Sequence, residues 1–129
     1  MDSRKERRIK KRIECAIYFE KEEYSGEILD MSPNGIAIAS YDNVPFLERD
    51  YLDVYFMDEF DSIISGNKEQ LSKIIRVKII DRNVINGCTR IGCTVSDYDY
   101  EVYVTNLITD DIITNKEYEK ICPINMQLR

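Results

Sequence analysis

The sequence contains no histidine, and its four cysteines form no CxxC pair. Histidine is the commonest general base, and histidine and paired cysteines are the usual zinc ligands. No motif for nucleotide hydrolysis is present either. We therefore predict that the protein is not an enzyme, that it has no catalytic residues, and that it uses no metal and no cofactor.

Long hydrophobic runs are also absent. No uninterrupted apolar stretch approaches the roughly 20 residues that cross a bilayer, and no apolar N-terminal segment of a secretory signal precedes the first charged run. A length of 129 residues with 43% hydrophobic residues suits one globular domain. We expect a soluble, cytoplasmic protein without membrane insertion. Its thiols Cys15 and Cys93 fall on apolar positions and are expected to be reduced and buried.

Positive charge is concentrated in one short stretch, RRIKKR, at residues 7–12. Residues 1–12 hold seven basic and two acidic residues, a net charge of +5, so the total of −6 leaves −11 for residues 13–129. An acidic body of this kind repels a general polyanion. We therefore expect no nucleic-acid binding, and the cations are predicted to serve a small or local ligand.

Apolar and polar residues alternate in six segments, which predicts six β-strands. The first begins at Ile13, and the fourth and fifth show the alternation most clearly. Residues 41–50 read as a polar connection, and residues 58–70 remain unassigned. The SPNG stretch predicts a turn in which Gly35 takes a position that tolerates positive φ. Regularly spaced strands joined by turns are typical of an antiparallel sandwich or barrel.

Residues 98–113 follow a different pattern. Their apolar positions recur three and four residues apart, which indicates a helix packed on the sheet, although many β-branched residues weaken this prediction. A second short helix is predicted from Lys116 to Ile121, ending before Pro123.

Two short stretches carry the candidate site. In DMSPNG, Asp30 and Ser32 lie two residues apart at a strand end, so their side chains point to the same face. Arg8 and Arg12 are four residues apart, and guanidinium groups bind phosphate bidentately and stack on or pair with guanine. Together they could hold a guanine nucleotide. By itself, DMSPNG predicts no more than an ordinary hairpin turn.

In this order and spacing, RIKKR as RxxxR and DMSPNG as DxSxxG resemble the PilZ domain family. The arginines precede the first strand, the second motif lies between the second and third strands, and RIGCTV matches a last-strand pattern of the family. The likeness covers roughly residues 6–112. Thr94 and Val95 stand where an aromatic residue is common in the family.

The resemblance implies a mainly β fold, a six-stranded antiparallel β-barrel with a C-terminal α-helix. It also implies a bacterial receptor for the second messenger cyclic di-GMP. By similarity, the ligand-binding residues would be Arg7, Arg8, Arg12, Asp30, Ser32 and Gly35. A downstream protein effector, in motility, polysaccharide synthesis or regulation, would receive the signal. The alternative is a PilZ-like adapter that acts through protein contacts without nucleotide.

The expected organisation is a basic arm at residues 1–12, a barrel with its terminal helix at 13–113, and an extension at 114–129. We expect the arm to be mobile and self-repelling until a dianionic ligand orders it. We also expect Arg8 to bury little surface, because it precedes the first predicted strand.

Overall fold

The computed structural model describes residues 7–121, with side chains through residue 115. It contains six strands and one helix, and their bounds are β1 (Ile9–Phe19), β2 (Glu22–Ser32), β3 (Gly35–Ser40), β4 (Tyr51–Asp61), β5 (Lys68–Ile85), β6 (Cys88–Val95) and α1 (Tyr98–Ile121).

The six strands form a closed antiparallel barrel in the order β1-β2-β3-β6-β5-β4. Each neighbouring pair is antiparallel. The predicted fold class, a six-stranded antiparallel barrel followed by a helix, is therefore confirmed. Closure leaves no free edge strand, which removes the unpaired backbone groups that an open sheet would expose.

The strand connections divide the barrel into two ends. Because successive strands run in opposite directions, the start of β1, the β2–β3 turn, the β4–β5 loop and the end of β6 all lie at one end. We call this the helix end, since α1 follows β6 directly. Both candidate motifs belong to it: RxxxR occupies the start of β1, and DMSPNG forms the β2–β3 turn.

The barrel interior is filled by the residues that the alternating pattern indicated. Leu52, Val54 and Phe56 of β4 are buried, as are the apolar positions of β5, namely Ile75, Val77 and Ile79. The outward positions between the last three are Arg76 and Lys78. Burial of an aliphatic side chain of this size stabilises the fold by about 1.5–3 kcal/mol. The strands are therefore oriented with their apolar side chains toward the barrel interior.

The opposite end of the barrel is closed by the connection between β3 and β4. Residues 41–50 were expected to be a polar connection, but Val44 and Phe46 in it are buried. The Phe46 ring packs edge-on against Phe19 and Tyr24, with ring centroids 5.6 and 5.5 Å apart. Two isolated apolar residues give no periodic signal, so the sequence pattern concealed this plug.

The helix is longer and more continuous than expected. A single helix runs from Tyr98 to Ile121, so the prediction of a separate helix from Lys116 to Ile121 is wrong. Its apolar residues Tyr100, Tyr103, Val104, Leu107 and Ile108 are buried against the barrel core. Packing of this stripe compensates for the weak helix propensity of its β-branched residues. The described helix is not apolar enough over a sufficient length to span a membrane.

Two strand boundaries also differ from expectation. β1 begins at Ile9, four residues before the predicted start, because Ile9 pairs with Met31 and Lys10 with Asp30 although RRIKKR shows no alternation. Residues 58–70, left unassigned, extend β4 and β5 into a long hairpin. Its loop is held by Asp110 of α1, whose Oδ1 accepts hydrogen bonds from Ile63 N at 2.8 Å and Ile64 N at 3.1 Å.

Of the two cysteines expected to be buried, Cys93 is buried and Cys15 is half-buried. Burial, with a smaller effect of the Glu27 carboxylate, raises the pKa of Cys15 to about 12. Burial, followed by the Asp81 carboxylate, raises the pKa of Cys93 to about 12. Both are free thiols, as expected. Neither can act as a thiolate nucleophile near neutral pH.

Candidate functional site

The two sequence motifs meet through the side chain of Arg8. Its Nε donates to Asp30 Oδ1 at 2.6 Å, and a second guanidinium nitrogen, NH2, lies 2.5 Å from the same oxygen. NH1 donates to Ser32 Oγ at 3.1 Å. The first arginine of RxxxR is thus bonded to both polar side chains of DxSxxG.

Strand pairing explains this meeting. Lys10 is the register partner of Asp30, and Ile9 that of Met31. Arg8 immediately precedes this paired segment, beside the last residues of β2. Asp30 and Ser32 are both buried and lie two positions apart on β2. One extended residue before β1 is therefore enough to bring the guanidinium between them.

Gly35 contributes space rather than an unusual backbone angle. It was expected at a position of positive φ, but it is the first residue of β3, paired with Ser32, and only Gly66 and Gly87 among the glycines that the structure describes have positive φ. A Cβ on Gly35 would lie 3.0 Å from Ser32 Oγ and 3.1 Å from Arg8 NH1. Glycine gives the Arg8 side chain room to pass close to the backbone, where a larger residue would crowd Arg8 and Ser32.

The other two predicted arginines point elsewhere. Arg12 NH1 donates to Glu27 Oε1 at 2.6 Å, and the Arg12 side chain is 72% exposed. Arg7 NH2 forms an exposed ion pair with Asp111 of α1 at 3.2 Å. The structure therefore brings Arg8, Asp30, Ser32 and Gly35 into one cluster, and it places Arg7 and Arg12 outside that cluster.

The basic segment at residues 7–12 contacts both the barrel and α1, and its residues from Ile9 onward lie in β1. Besides the three arginine contacts, Lys11 Nζ lies 2.9 Å from Asp58 Oδ1. Tyr103 of α1 donates its hydroxyl to the other oxygen of Asp58 at 2.8 Å. Burial, followed by this carboxylate, raises the pKa of Tyr103. Carboxylates from β2, β4 and α1 thus offset the mutual repulsion of the cations.

Arg8 is also more buried than expected. Its side chain is 15% exposed and that of Asp30 is 11% exposed. The expectation that Arg8 buries little surface is therefore wrong, because the β2–β3 turn encloses it. An ion pair at this depth needs its hydrogen bonds to offset desolvation, and Ser32 supplies one of them.

A cavity of about 260 Å³ adjoins this cluster. It is lined by Lys10, Lys11, Arg12, Leu29, Asp30 and Arg90. Arg12 and Asp30 therefore share this space although they do not contact each other. Arg90 was missed by the sequence analysis. The alternating pattern of β6 indicated that Arg90 is exposed, but it did not indicate that Arg90 lies beside the two motifs.

Fold and site together define a small β-barrel domain with a positively charged surface site at its helix end. A family model, described as PilZ domain, matches residues 2–102. The chain belongs to the PilZ domain family. No match was found among the curated proteins.

Two solved structures are similar in fold. The PilZ domain with c-di-GMP of YcgR from Escherichia coli has a TM-score of 0.59 and 12% identity, over 92% of this chain and 99% of that chain. The Bacillus subtilis inhibitor of motility, MotI/DgrA, has a TM-score of 0.62 and 14% identity, over 87% of this chain. This chain covers 53%, about half, of that protein.

Proposed function

We propose that this protein is a cyclic di-GMP receptor that passes the signal to a partner protein. The contact of Arg8 with Asp30 and Ser32 carries the proposal, because it joins the two motifs in one cluster. Membership of the PilZ family supports it. So does the similarity in fold to the PilZ domain of E. coli YcgR, which was solved with c-di-GMP.

The arginines would divide the work of binding. Arg12 is exposed and is paired with Glu27, whose side chain is also partly exposed, so exchanging this carboxylate for a ligand phosphate costs little. A guanidinium grips phosphate through two parallel hydrogen bonds and also stacks on a guanine face. Arg8 would hold the DMSPNG turn in shape, and Arg7 would add to the attraction at the rim.

Asp30 would recognise the guanine base. Both nitrogens of Arg8 that approach Asp30 contact its Oδ1 rather than its Oδ2. Oδ2 can therefore accept from the N1–H or N2–H₂ group of guanine. Adenine lacks both donors on that edge, so it would leave the carboxylate unpaired.

Relay to a partner would run through α1. Arg7 is paired with Asp111, and Lys11 reaches Tyr103 through Asp58. A ligand that attracts Arg7 and Lys11 would weaken two links between the basic segment and α1. The effector that reads the helix would be a protein of motility, polysaccharide synthesis or regulation.

Isothermal titration with cyclic di-GMP tests the proposal. Arg12→Ala should weaken binding at least about tenfold, a loss of roughly 1.4 kcal/mol. Arg76→Ala is the matched control, because Arg76 is a strand arginine that is 69% exposed and paired with a surface carboxylate, Asp53. Arg76→Ala should bind as the wild type does.

Cyclic di-AMP serves as the selectivity control. Loss of a charge-assisted hydrogen bond together with an unpaired carboxylate is worth about 2–3 kcal/mol, on the order of 30- to 100-fold in affinity. Equal affinity for the two dinucleotides would overturn the role of Asp30. Absence of any cyclic di-GMP binding by the folded wild type would overturn the receptor proposal and favour the nucleotide-independent adapter.

A further inference from the structure

One cation of the 260 Å³ cavity belongs to neither motif. Of the six lining residues, five lie on β1 or β2, within or beside RxxxR and DxSxxG. The sixth is Arg90 of β6, an exposed residue between the buried Thr89 and Ile91. The order β2-β3-β6 leaves only β3 between Arg90 and the motif strands.

The strand register explains how Arg90 reaches this cavity. Glu27 of β2, the partner of Arg12, pairs with Ala39 of β3, and Ala39 pairs with Arg90. Neighbouring strands are about 4.8 Å apart, so Arg90 and Glu27 lie about 10 Å from each other along this row. The row places Arg12 and Arg90 on the same outer face of the barrel.

Small residues on β3 allow side chains from the flanking strands β2 and β6 to approach each other. Ala37 and Ala39 alternate with the inward Ile36 and Ile38, yet both alanines are almost fully covered. Longer side chains from the flanking strands must therefore close over them. On the same strand as Arg90, the Gly92 N–H donates to Asp81 Oδ1 at 3.1 Å, and the Asp81 carboxylate lies close over Gly92.

The charges in the cavity are not equally compensated. Arg12 is paired with Glu27, Lys11 with Asp58, and Asp30 with Arg8. Among the side chains of residues 7–115, Arg90 has no ion-pair partner. Its guanidinium can bind an incoming anion without first giving up a carboxylate.

We infer that Arg90 is a third ligand-binding arginine, which grips a phosphate of the cyclic dinucleotide across the cavity from Arg12. This inference rests on the proposed function. A guanidinium offers two parallel donors to a phosphate, and no backbone rearrangement is needed because β6 is fixed between β3 and β5.

Titration of cyclic di-GMP into Arg90→Ala, with Arg76→Ala as the matched control, tests the inference. Arg90→Ala should weaken binding about tenfold at low salt and keep most of that loss at about 0.5 M salt, where long-range attraction is screened. Arg76→Ala should stay within about twofold of the wild type. Thermal unfolding of Arg90→Ala should match the wild type, since its side chain is exposed.

The outcomes separate the inference from the proposed function. One outcome is that the wild type binds, that Arg12→Ala weakens binding, and that Arg90→Ala has the same affinity as Arg76→Ala. In that case the role inferred for Arg90 is wrong and the receptor proposal stands. If the effect of Arg90→Ala disappears at high salt, Arg90 acts only at long range and the inference also fails. If the folded wild type does not bind cyclic di-GMP, both proposals fail.

Discussion

At the scale of single residues, Arg8 and Arg12 have separate physical roles although one motif contains both. Arg8 forms a nearly buried ion pair with Asp30, whereas Arg12 forms an exposed pair with Glu27. Removing one partner of a buried pair leaves an uncompensated charge and is strongly destabilising, while exposed pairs contribute about 0–1 kcal/mol. A loss of ligand binding after Arg8 substitution is therefore partly a loss of site structure.

Arg8→Ala should lower both the stability of the domain and its affinity for cyclic di-GMP. We expect a loss of about 1–3 kcal/mol in the free energy of unfolding, because Asp30 keeps a buried carboxylate without its guanidinium. Arg12→Ala should change stability by less than about 0.5 kcal/mol while still weakening binding. Urea unfolding of the three proteins, alongside titration, measures both effects. Equal stability of Arg8→Ala and wild type would contradict the structural role of the Arg8–Asp30 pair.

The sequence indicated which residues form the site better than it indicated the contacts that they make. The spacing of RxxxR and DxSxxG pointed to Arg8, Asp30, Ser32 and Gly35, which the barrel brings together. Arg7 is paired with a carboxylate on α1, and Arg12 with a carboxylate on β2. The positions of these two carboxylates depend on helix packing and strand register. Arg90 lies 78 positions after Arg12 and shares a cavity with it only because β6 pairs with β3.

At the scale of elements, the start of α1 is fixed by Asp97. Its Oδ1 accepts the backbone N–H of Tyr100 at 3.0 Å, the geometry of a helix N-cap, and Oδ2 lies 2.9 Å from Lys73 Nζ of β5. Burial alone would raise the pKa of Asp97. The hydrogen bond from Tyr100 and the Lys73 ammonium outweigh it and lower the pKa below the ordinary 3.8.

Asp97→Ala should destabilise the protein by about 1 kcal/mol at neutral pH, within the usual range of about 0.5–2 for an N-cap. A lowered pKa in the folded state stabilises the fold above the unfolded-state value, and this contribution is lost as pH falls through the lower, folded-state value. The stability difference between wild type and variant should therefore shrink below about pH 4.

Unfolding by urea at pH 7 and at pH 3.5 checks this prediction. Asp99→Ala is the control, because Asp99 also approaches Lys73, at 3.3 Å, but caps no backbone N–H of the helix. It should cost less than Asp97→Ala at pH 7. A stability difference that is the same at both pH values would show that ionisation of Asp97 does not contribute.

The elements themselves were largely predictable because burial imposes a period of two on strands. The alternating pattern located all six strands and is clearest in the burial of β4 and β6, and the helix stripe followed its three-four spacing. The start of β1 was missed because a run of cations hides the pairing of Ile9 with Met31. The plug formed by Val44 and Phe46 and the continuity of α1 depend on tertiary packing, which local patterns do not contain.

At the scale of the whole molecule, the site is a small positive region on an acidic protein. The net charge is −6, so a dianionic ligand is attracted only near the basic segment. Lys10 is an exposed member of that segment and lines the cavity, but it has no ion-pair partner among the described side chains of residues 7–115. Lys11, in contrast, is held by Asp58, so its replacement would also disturb packing beneath α1.

Lys10→Gln should therefore affect cyclic di-GMP binding only through long-range attraction. Two to threefold weaker binding is expected at about 20 mM salt, and none of that loss should remain at about 0.5 M, where the Debye length falls to about 4 Å. Arg12→Lys should weaken binding at least about tenfold at both salt concentrations, because an ammonium cannot form the bidentate contact with phosphate. Titration of wild type, Lys10→Gln and Arg12→Lys at the two concentrations separates the two effects. If Lys10→Gln and Arg12→Lys lost affinity equally and with the same salt dependence, the basic segment would act as undirected charge, and no arginine-specific contact would be needed to explain binding.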